Sequence, residues 1–232
     1  MERRIKMSAI ISKTAIGVVA ALAFGASAAS AVTVVNGSFE DDAGVAQDGQ
    51  LFSTLDSGSG NDSWSVFDNL PGWTTVSGAG IEVQTTNTLG TIDPQDLQHY
   101  VELDSNNNSS MQQLINFTGT GSYLLSFWYS PRDGDADSNI IDYSIGSLTG
   151  TVTGPSGVAP VTAVGLWTLI EATFTITQAG DYALVFTANG TNNSLGGFID
   201  NVSIAAIPVP AGGLLLLGAL AGLAGLRRRK TA

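Results

Sequence analysis

Strict alternation of apolar and polar residues runs through the middle of this chain. In the stretch SYLLSFWYS, every second residue from Tyr123 to Tyr129 is apolar and shares one face, whereas Trp128 falls among serines on the other. The stretches EATFTITQ and DYALVFTANG repeat the pattern. Because successive side chains of a β-strand point to opposite faces, period two with aromatic and β-branched residues predicts strands.

Further short runs of the same kind are separated by clusters of Gly, Asn, Asp and Pro, and no helical period appears between Val32 and Ala206. These runs are Thr33–Phe39, Ile81–Gln84, Tyr100–Leu103, Met111–Phe117, Ile140–Ile145 and Phe198–Ile204. Many short strands in a span the size of one domain predict an all-β fold. We therefore expect a two-sheet antiparallel β-sandwich of the jelly-roll type at residues 32–206.

The first 31 residues have the features of a secretory signal peptide. Basic residues precede the apolar stretch Ala15–Phe24, and small residues follow it, ending in Ala29-Ser30-Ala31. The apolar stretch is short for a membrane span. A basic start, a short apolar centre and an A-x-A site predict export, with cleavage after Ala31. An N-terminal membrane anchor is the alternative.

The other end of the chain also combines an apolar run with basic residues. Residues 211–226 are apolar, and Arg227, Arg228, Arg229 and Lys230 follow at once. Pro208 and Pro210 limit the helix to a marginal membrane-spanning length, because proline breaks the helical ladder. Since Lys and Arg accumulate on the cytoplasmic side, the pattern predicts one short transmembrane helix with the body outside.

This tail resembles the PEP-CTERM class of bacterial sorting signals. The matching residues are the box Ile207-Pro208-Val209-Pro210-Ala211, the Leu/Gly/Ala helix and the cluster Arg227–Lys230. The closest variant is the one named for its Val-Pro-Leu-Pro-Ala box, from which two letters depart conservatively. The resemblance implies recognition by an exosortase, which would remove the helix after a transient stay at the membrane. An ordinary tail anchor is the alternative.

The body resembles the galactose-binding-like jelly rolls of carbohydrate-binding modules. The motifs, in chain order, are VVNGSFE, PGWT, YVELDS, YLLSFWYSPR, GLWTLIEATFT and GGFIDNVSI. The resemblance implies neighbouring first and last strands that hold a structural Ca²⁺. Its matching ligands here are Glu40, the carbonyl of Ser38, and Asp200. Alternatively, Glu40 and Asp200 each cap a local turn.

Charge limits the classes of partner. The chain has 20 acidic and 9 basic residues, and Arg132 is the one Lys or Arg outside the two end segments. Such an acidic body repels nucleic acid and anionic lipid. The chain has no cysteine, so the core, or a metal ion, must stabilise the exported fold without disulfides.

The sequence does not predict a catalytic site. His99 is the single histidine, and no G-x-S-x-G elbow accompanies it. A packing or exposed role for His99 is therefore favoured, although a pair of carboxylates acting as a glycosidase stays open. The loop RDGDADSN has acidic residues at alternate positions, but Ser138 and Ser144 stand where an EF-hand needs Gly and Glu. A solvated acidic loop is the favoured interpretation.

Candidate sugar-binding residues lie off the core faces of two strands. Trp128 alternates with serines, and Tyr100 and Glu102 share a face in YVELD. Because sugar sites combine aromatic surfaces with a few polar groups, these residues could line one surface with Arg132 at its rim. Arg132 could instead be a structural ion-pair partner.

Three functions follow in order of preference. The first is an exported, non-enzymatic surface or matrix protein that binds polysaccharide. The second is a structural or adhesive protein without a sugar pocket, and the third is a carbohydrate-active hydrolase. An open groove with exposed Trp128 and Tyr100 would favour the first, a face filled by loops the second, and a converged carboxylate pair in a deep cleft the third.

Overall fold

Antiparallel strands dominate the chain. The computed structural model describes residues 32–41, 44, 51–55, 63–86, 88, 92–154 and 165–208, all within one compact unit, Ala29–Val209. The strands are β1 Trp64–Phe67, β2 Asn69–Leu70, β3 Trp73–Ser77, β4 Ile81–Thr85, β5 His99–Glu102, β6 Ser110–Phe117, β7 Gly121–Ser130, β8 Ile141–Ile145, β9 Leu148–Val152, β10 Thr168–Ile176, β11 Gly180–Ala188 and β12 Phe198–Ala206. A 3-10 turn spans Phe52–Thr54.

The strands form two six-stranded sheets. Sheet 1 has the order β1-β4-β5-β12-β7-β10, and sheet 2 has the order β2-β3-β6-β11-β8-β9. Every pair of neighbours is antiparallel. The predicted two-sheet antiparallel sandwich is therefore confirmed.

The core lies between the inward faces of the two sheets and is rich in aromatic side chains. Phe127 of β7 meets Phe186 of β11 with ring centroids 5.0 Å apart, and Trp73 of β3 contacts the same Phe186 ring at 6.0 Å. All three side chains are buried. Each buried large apolar side chain contributes about 1.5–3 kcal/mol, so packing across the sheets stabilises a fold that has no disulfide.

The segment predicted as the first strand, Thr33–Phe39, is not a strand. Asn36 and Phe39 have positive φ angles of 50° and 59°, which a strand cannot accommodate. The side chain of Gln113 takes the place of a partner strand, because its Oε1 accepts from Val35 N at 2.7 Å and its Nε2 donates to Val35 O at 2.8 Å.

The segment nevertheless lies beside the last strand. Val202 N of β12 donates to Gly37 O at 2.8 Å. A Cβ at position 37 would overlap the Val202 carbonyl, so only glycine allows this approach. The expected proximity of the first and last segments is thus present through one backbone hydrogen bond.

Several sequence predictions fall outside the described residues. These are the signal peptide 1–31 with its cleavage site Ala29 and Ala31, and the parts of the sorting signal at Pro210, Ala211, the helix 211–226 and the cluster Arg227–Arg229. Pro208 is described and is exposed. Within the described ranges, no helix is long and apolar enough to cross a membrane.

Candidate functional site

The outer face of sheet 1 brings the predicted binding residues together. Tyr100 and Glu102 of β5 point away from the core on that face, because Val101 between them points into it. Phe198 of β12 pairs with Glu102, and the next outward residue of β12 pairs with Trp128 of β7. Alternation alone therefore placed Tyr100, Glu102 and Trp128 correctly on one face.

Glu102 is the centre of a buried group of charges. We call this group the acidic cluster; it comprises Glu82, Gln84, Glu102, Asp104 and Arg132. Glu102 Oε2 accepts hydrogen bonds from Arg132 Nη1 and from Gln84 Nε2, the second at 2.7 Å. Glu102 Oε1 accepts a hydrogen bond from Gly196 N at 2.7 Å. Gln84 Nε2 also donates to Glu82 Oε1 at 2.6 Å.

Burial makes the charges of this cluster costly. Glu102 and Asp104 have no exposed surface and Glu82 is 3% exposed. Burial raises the pKa of Glu82 and Asp104, and it raises the pKa of Glu102 well above its usual value, with the charge of Glu82 adding to the effect and Arg132 opposing it. Arg132 is therefore a structural ion-pair partner of Glu102, which was the alternative to a sugar-binding role.

An aromatic group covers the same face beside the acidic cluster. Tyr100 packs edge-on against Phe198 and Trp167, at 5.0 and 5.8 Å between ring centroids, and its hydroxyl donates to Ile92 O at 3.2 Å. The Arg132 guanidinium lies 5.9 Å from the centre of the Phe198 ring.

The predicted sugar platform is consequently not open. Tyr100 is fully buried, and Trp128 is half-buried between Leu169 of β10 and Asp200 of β12. The sequence placed these residues on one face, but it gave no sign that residues around Ile92 and Trp167 fold over them.

His99 has a packing role. Its Nδ1 lies 2.7 Å from Glu40 Oε2, and its ring contacts the Phe52 ring at 4.5 Å between centroids. His99 is 8% exposed. No serine nucleophile is bonded to it among the described residues, so the side chain fastens the first segment to β5.

The residues predicted to bind calcium act first as acceptors for backbone N–H groups. Glu40 Oε1 accepts from Gln98 N and His99 N, each at 2.8 Å. Asp200 Oδ2 accepts from Gln95 N at 2.9 Å and from Asp96 N at 3.0 Å. Both carboxylates thus tie residues 95–99 to the two ends of the domain, and these long-range bonds differ from the local turn caps of the alternative interpretation.

Some capacity for an ion is left at these carboxylates. Glu40 Oε2 and Asp200 Oδ1 each have one hydrogen-bond partner, whereas a carboxylate oxygen has about two lone-pair sites. Burial raises the pKa of Asp200 to about 7, and a nearby cation would favour its charged form. Among the described residues no three acidic or histidine side chains converge on a metal position, so carbonyls such as that of Ser38 and water would have to complete the shell. Calcium stays a prediction.

The acidic loop after β7 is organised by an amide. Asp135 N donates to Asp133 Oδ1 and Asp137 N donates to Asp135 Oδ1, both at 3.0 Å, which makes consecutive Asx turns. The fully buried Asn139 donates to Asp133 Oδ1 at 2.9 Å and accepts from Arg132 N at 2.7 Å. The loop therefore holds Arg132 in place; the sequence pattern suggested a solvated acidic loop but not the part played by Asn139.

An open groove with described walls lies on the other side of the sandwich, on the outer face of sheet 2. It has a volume of about 530 Å³ and runs over β8, β9 and β11. The residues lining it are Asp142, Tyr143, Ser144, Thr149, Gly150, Thr151, Val185 and Thr187. Ligand sites usually measure about 300–1,000 Å³, so the groove is large enough for a small ligand or part of a polymer.

One half of the groove floor is already hydrogen-bonded. Thr151 Oγ1 donates to Asp142 Oδ1 at 2.5 Å, Asn189 Nδ2 donates to Asp142 Oδ2 at 2.7 Å, and the hydroxyls of Thr187 and Ser110 lie 2.8 Å apart. Sequence reasoning missed this surface. The available signal was the polar side of β8 and β9, where Asp and Ser alternate with apolar residues and two threonines flank Gly150.

A second groove of about 310 Å³ lies on the same face, over β3 and β6. Its walls include Val35, Thr74, Gln112 and Leu114, and Leu114 is 67% exposed. Both grooves combine hydroxyl or amide groups with small apolar surfaces and have no cation in their walls.

Comparison with known proteins supports the fold. No family model and no curated protein matches the chain. The Stig cyclase Fisc from Fischerella sp. TAU, in complex with (3Z)-3-(1-methyl-2-pyrrolidinylidene)-3H-indole, is similar at 12% identity and a TM-score of 0.50, over 78% of this chain and 99% of the cyclase.

Two carbohydrate-binding modules are also similar. TmCBM61 in complex with beta-1,4-galactotriose is 16% identical at a TM-score of 0.41, over 62% of this chain and 88% of its own. The family 35 module from Clostridium thermocellum is 16% identical at a TM-score of 0.38, over 58% of this chain and 93% of its own. The similarity to the cyclase, at 12% identity, shows a shared fold alone.

Proposed function

We propose that this chain is an exported, non-enzymatic surface or matrix protein whose β-sandwich binds polysaccharide through the outer face of sheet 2. The observation that carries the proposal is the polar groove over β8, β9 and β11. Its walls combine hydroxyls with the side of Val185, and its volume of about 530 Å³ is large enough for part of a polysaccharide chain.

Charge favours a neutral glycan over other polymers. The described residues include one Lys or Arg, and that residue, Arg132, is 10% exposed and bonded to Glu102 on the other sheet. An anionic polymer would meet acidic side chains such as Asp142 without a compensating cation. Uncharged hydroxyl groups can use the threonine and serine side chains of the groove at no electrostatic cost.

The closed face of sheet 1 fits a structural role for the four residues first considered for sugar binding. Glu82 and Glu102 do converge through Gln84, as a hydrolase would require, but they are buried beside Arg132 and leave no space for a substrate. The hydrolase is therefore the least favoured function, and a purely structural matrix protein is the second candidate.

Export and sorting complete the proposal and rest on the two end sequences. The signal peptide would direct the body out of the cytoplasm, and an exosortase would recognise the Pro208–Ala211 box and remove the helix that follows. Intact mass spectrometry of the mature protein from its native host tests this. Loss of everything after the Pro208–Ala211 region agrees with the sorting signal, whereas a mass retaining residues 214–230 contradicts it.

The binding proposal is tested by a panel of polysaccharides that includes cellulose, xylan, galactan and laminarin as neutral polymers and alginate as an anionic one. We expect the full-length protein to bind at least one neutral polymer and to ignore alginate. The variant Thr149→Arg places a long side chain in the groove and should weaken binding by roughly tenfold or more, equivalent to about 1.4 kcal/mol.

Thr173→Arg is the matched control, because Thr173 is equally an exposed threonine on a strand but lies on the outer face of sheet 1. It adds the same charge and should leave binding unchanged. A wild-type protein that binds none of the polymers, or equal losses in the two variants, would contradict the proposed site and favour the structural role.

A further inference from the structure

The two grooves on sheet 2 are joined by a single row of cross-strand neighbours. Thr74 of β3 pairs with Gln112 of β6, Gln112 pairs with Val185 of β11, Val185 pairs with Ser144 of β8, and Ser144 pairs with Thr149 of β9. All five side chains share the outer face, and every one of them lines one groove or the other. We call this set the open row.

The open row crosses five strands at right angles to their direction. Four strand spacings of about 4.8 Å give it a length of about 19 Å. It is therefore much longer than one sugar ring and is continuous from the edge strand β9 to β3. Neither groove alone has this length.

The polar side chains of the open row have no hydrogen-bond partner in the part of the chain that the structure describes. The side chains of Thr74, Gln112, Ser144 and Thr149 make no hydrogen bond to any residue that the structure describes. In the neighbouring row the opposite holds, because Ser110 is bonded to Thr187 and Thr151 is bonded to Asp142. One row of the sheet is thus internally satisfied and the other presents its donors and acceptors outward.

Apolar surface accompanies these polar groups. Val185 lies at the middle of the open row. Leu114 lies two residues beyond Gln112 on β6, and 67% of its surface is exposed. Linear glycans present hydroxyls at their edges and C–H groups on their ring faces, so both kinds of surface would be used. The row contains no charged side chain of either sign, so we expect an uncharged ligand.

We propose that the open row is an extended subsite that binds a linear, neutral polysaccharide chain running across the strands of sheet 2. This rests on the proposed function and adds to it the direction, the length and the charge class of the ligand. The groove over β8, β9 and β11 forms one end of the site, and the groove over β3 and β6 forms the other.

Binding of length-graded oligosaccharides tests this. Cello-, laminari-, xylo- and galacto-oligosaccharides of two to six residues are titrated calorimetrically against the full-length protein. We expect the affinity in the series that binds to rise with chain length and to level off once the chain spans the row. A disaccharide that binds as tightly as the hexasaccharide would overturn the extended site.

Two double variants assign the ends. Removing the side-chain groups at one end, in Thr74→Ala with Gln112→Ala, should weaken hexasaccharide binding by roughly tenfold, since each net hydrogen bond is equivalent to about threefold to tenfold in affinity. The same variant should leave disaccharide binding nearly unchanged. Ser144→Ala with Thr149→Ala should weaken both, and Thr173→Ala should weaken neither.

These substitutions are at the surface and should leave the fold intact, which circular dichroism and unchanged thermal unfolding verify. If the wild type binds no oligosaccharide and no polysaccharide, polysaccharide binding itself is refuted together with the row. If it binds but Thr74→Ala with Gln112→Ala has no effect on the hexasaccharide, only the extended subsite is refuted and the proposed function stands.

Discussion

Replacing Arg132 by methionine would test the idea that the one cation of the body is structural. Methionine keeps the length and much of the apolar contact of the side chain, but it removes the guanidinium that bonds to Glu102. Glu102 would keep its hydrogen bonds from Gln84 and Gly196 and lose its only charged partner. The carboxylate would then be fully buried with two hydrogen bonds but without the opposite charge of Arg132.

The expected loss follows from burial. The Glu102 side chain has no exposed surface and that of Arg132 is 10% exposed, so water screens the pair little. Removing one partner of such a pair costs about 3–5 kcal/mol, compared with about 0–1 kcal/mol for a surface pair. We expect about 4 kcal/mol, which lowers Tm by about 8–16 °C for a domain of this size at about 2–4 °C per kcal/mol.

Urea unfolding followed by tryptophan fluorescence measures this loss, and pH separates charge from packing. Burial and the charge of Glu82 raise the pKa of Glu102, and Arg132 is the group that opposes them. Without Arg132 the carboxyl keeps its proton to higher pH, so the loss should be smaller at pH 5 than at pH 8.

A double-mutant cycle with Glu102→Gln isolates the pair, and Glu171→Gln on the exposed face of β10 is the control for a simple change of charge. We expect Arg132→Met and Glu102→Gln to couple by about 2 kcal/mol and the control to change stability by less than about 0.5 kcal/mol. A loss below about 1 kcal/mol that is equal at pH 5 and pH 8 would refute the structural role of Arg132.

Three further predictions concern stability. The pKa values of the carboxyls in the acidic cluster are raised, so their contribution to the free energy of unfolding is fully present below the ordinary carboxyl pKa and is lost as pH rises through the raised values. Urea midpoints should therefore fall between pH 5 and pH 8. A rise over that range contradicts this prediction. Gly196→Ala should cost about 1–3 kcal/mol, because its Cβ would lie 2.8 Å from the Asp104 Cβ, whereas Gly134→Ala, with no atom within 4 Å, should be nearly neutral; equal effects would contradict the close approach. Millimolar calcium should raise the Tm of the wild type but not of Asp200→Asn, because an ion bound only to the folded state stabilises it, and an identical Tm in calcium and in EDTA would contradict the calcium prediction.

The sequence predicted the faces of the strands better than their surroundings. The alternation of apolar and polar residues in Tyr123–Tyr129 predicted which side chains of β7 point into the core, and it correctly placed Trp128 on the opposite face. Alternation reports direction only. It could not show that residues near Ile92 and Trp167 cover the outer face of sheet 1, because that cover depends on contacts distant in sequence, such as Tyr100 with Trp167.

Two other features that the sequence did not show depend on side-chain hydrogen bonds that replace a strand partner or a solvent contact. The valine-rich segment Thr33–Phe39 has the composition of a strand, yet Gln113 from β6 takes up its backbone groups. Asn139 reads as a loop residue, yet it is buried and organises the turn that positions Arg132. Neither role leaves a periodic signal in the chain.

The use of charge connects the two faces of the sandwich. A protein that recognised anionic polymers would need exposed cations. The one Lys or Arg among the described residues, Arg132, is instead paired with Glu102 and contacts Asn139 and the Phe198 ring. The described outer face of sheet 2 therefore has no cation, and Asp142 in its groove is already hydrogen-bonded to Thr151 and Asn189. Binding there should depend little on ionic strength, because no counterion is released when an uncharged chain docks. A strong salt dependence of glycan binding would mean that charged groups outside the open row take part, and the assignment of recognition to sheet 2 would have to be abandoned.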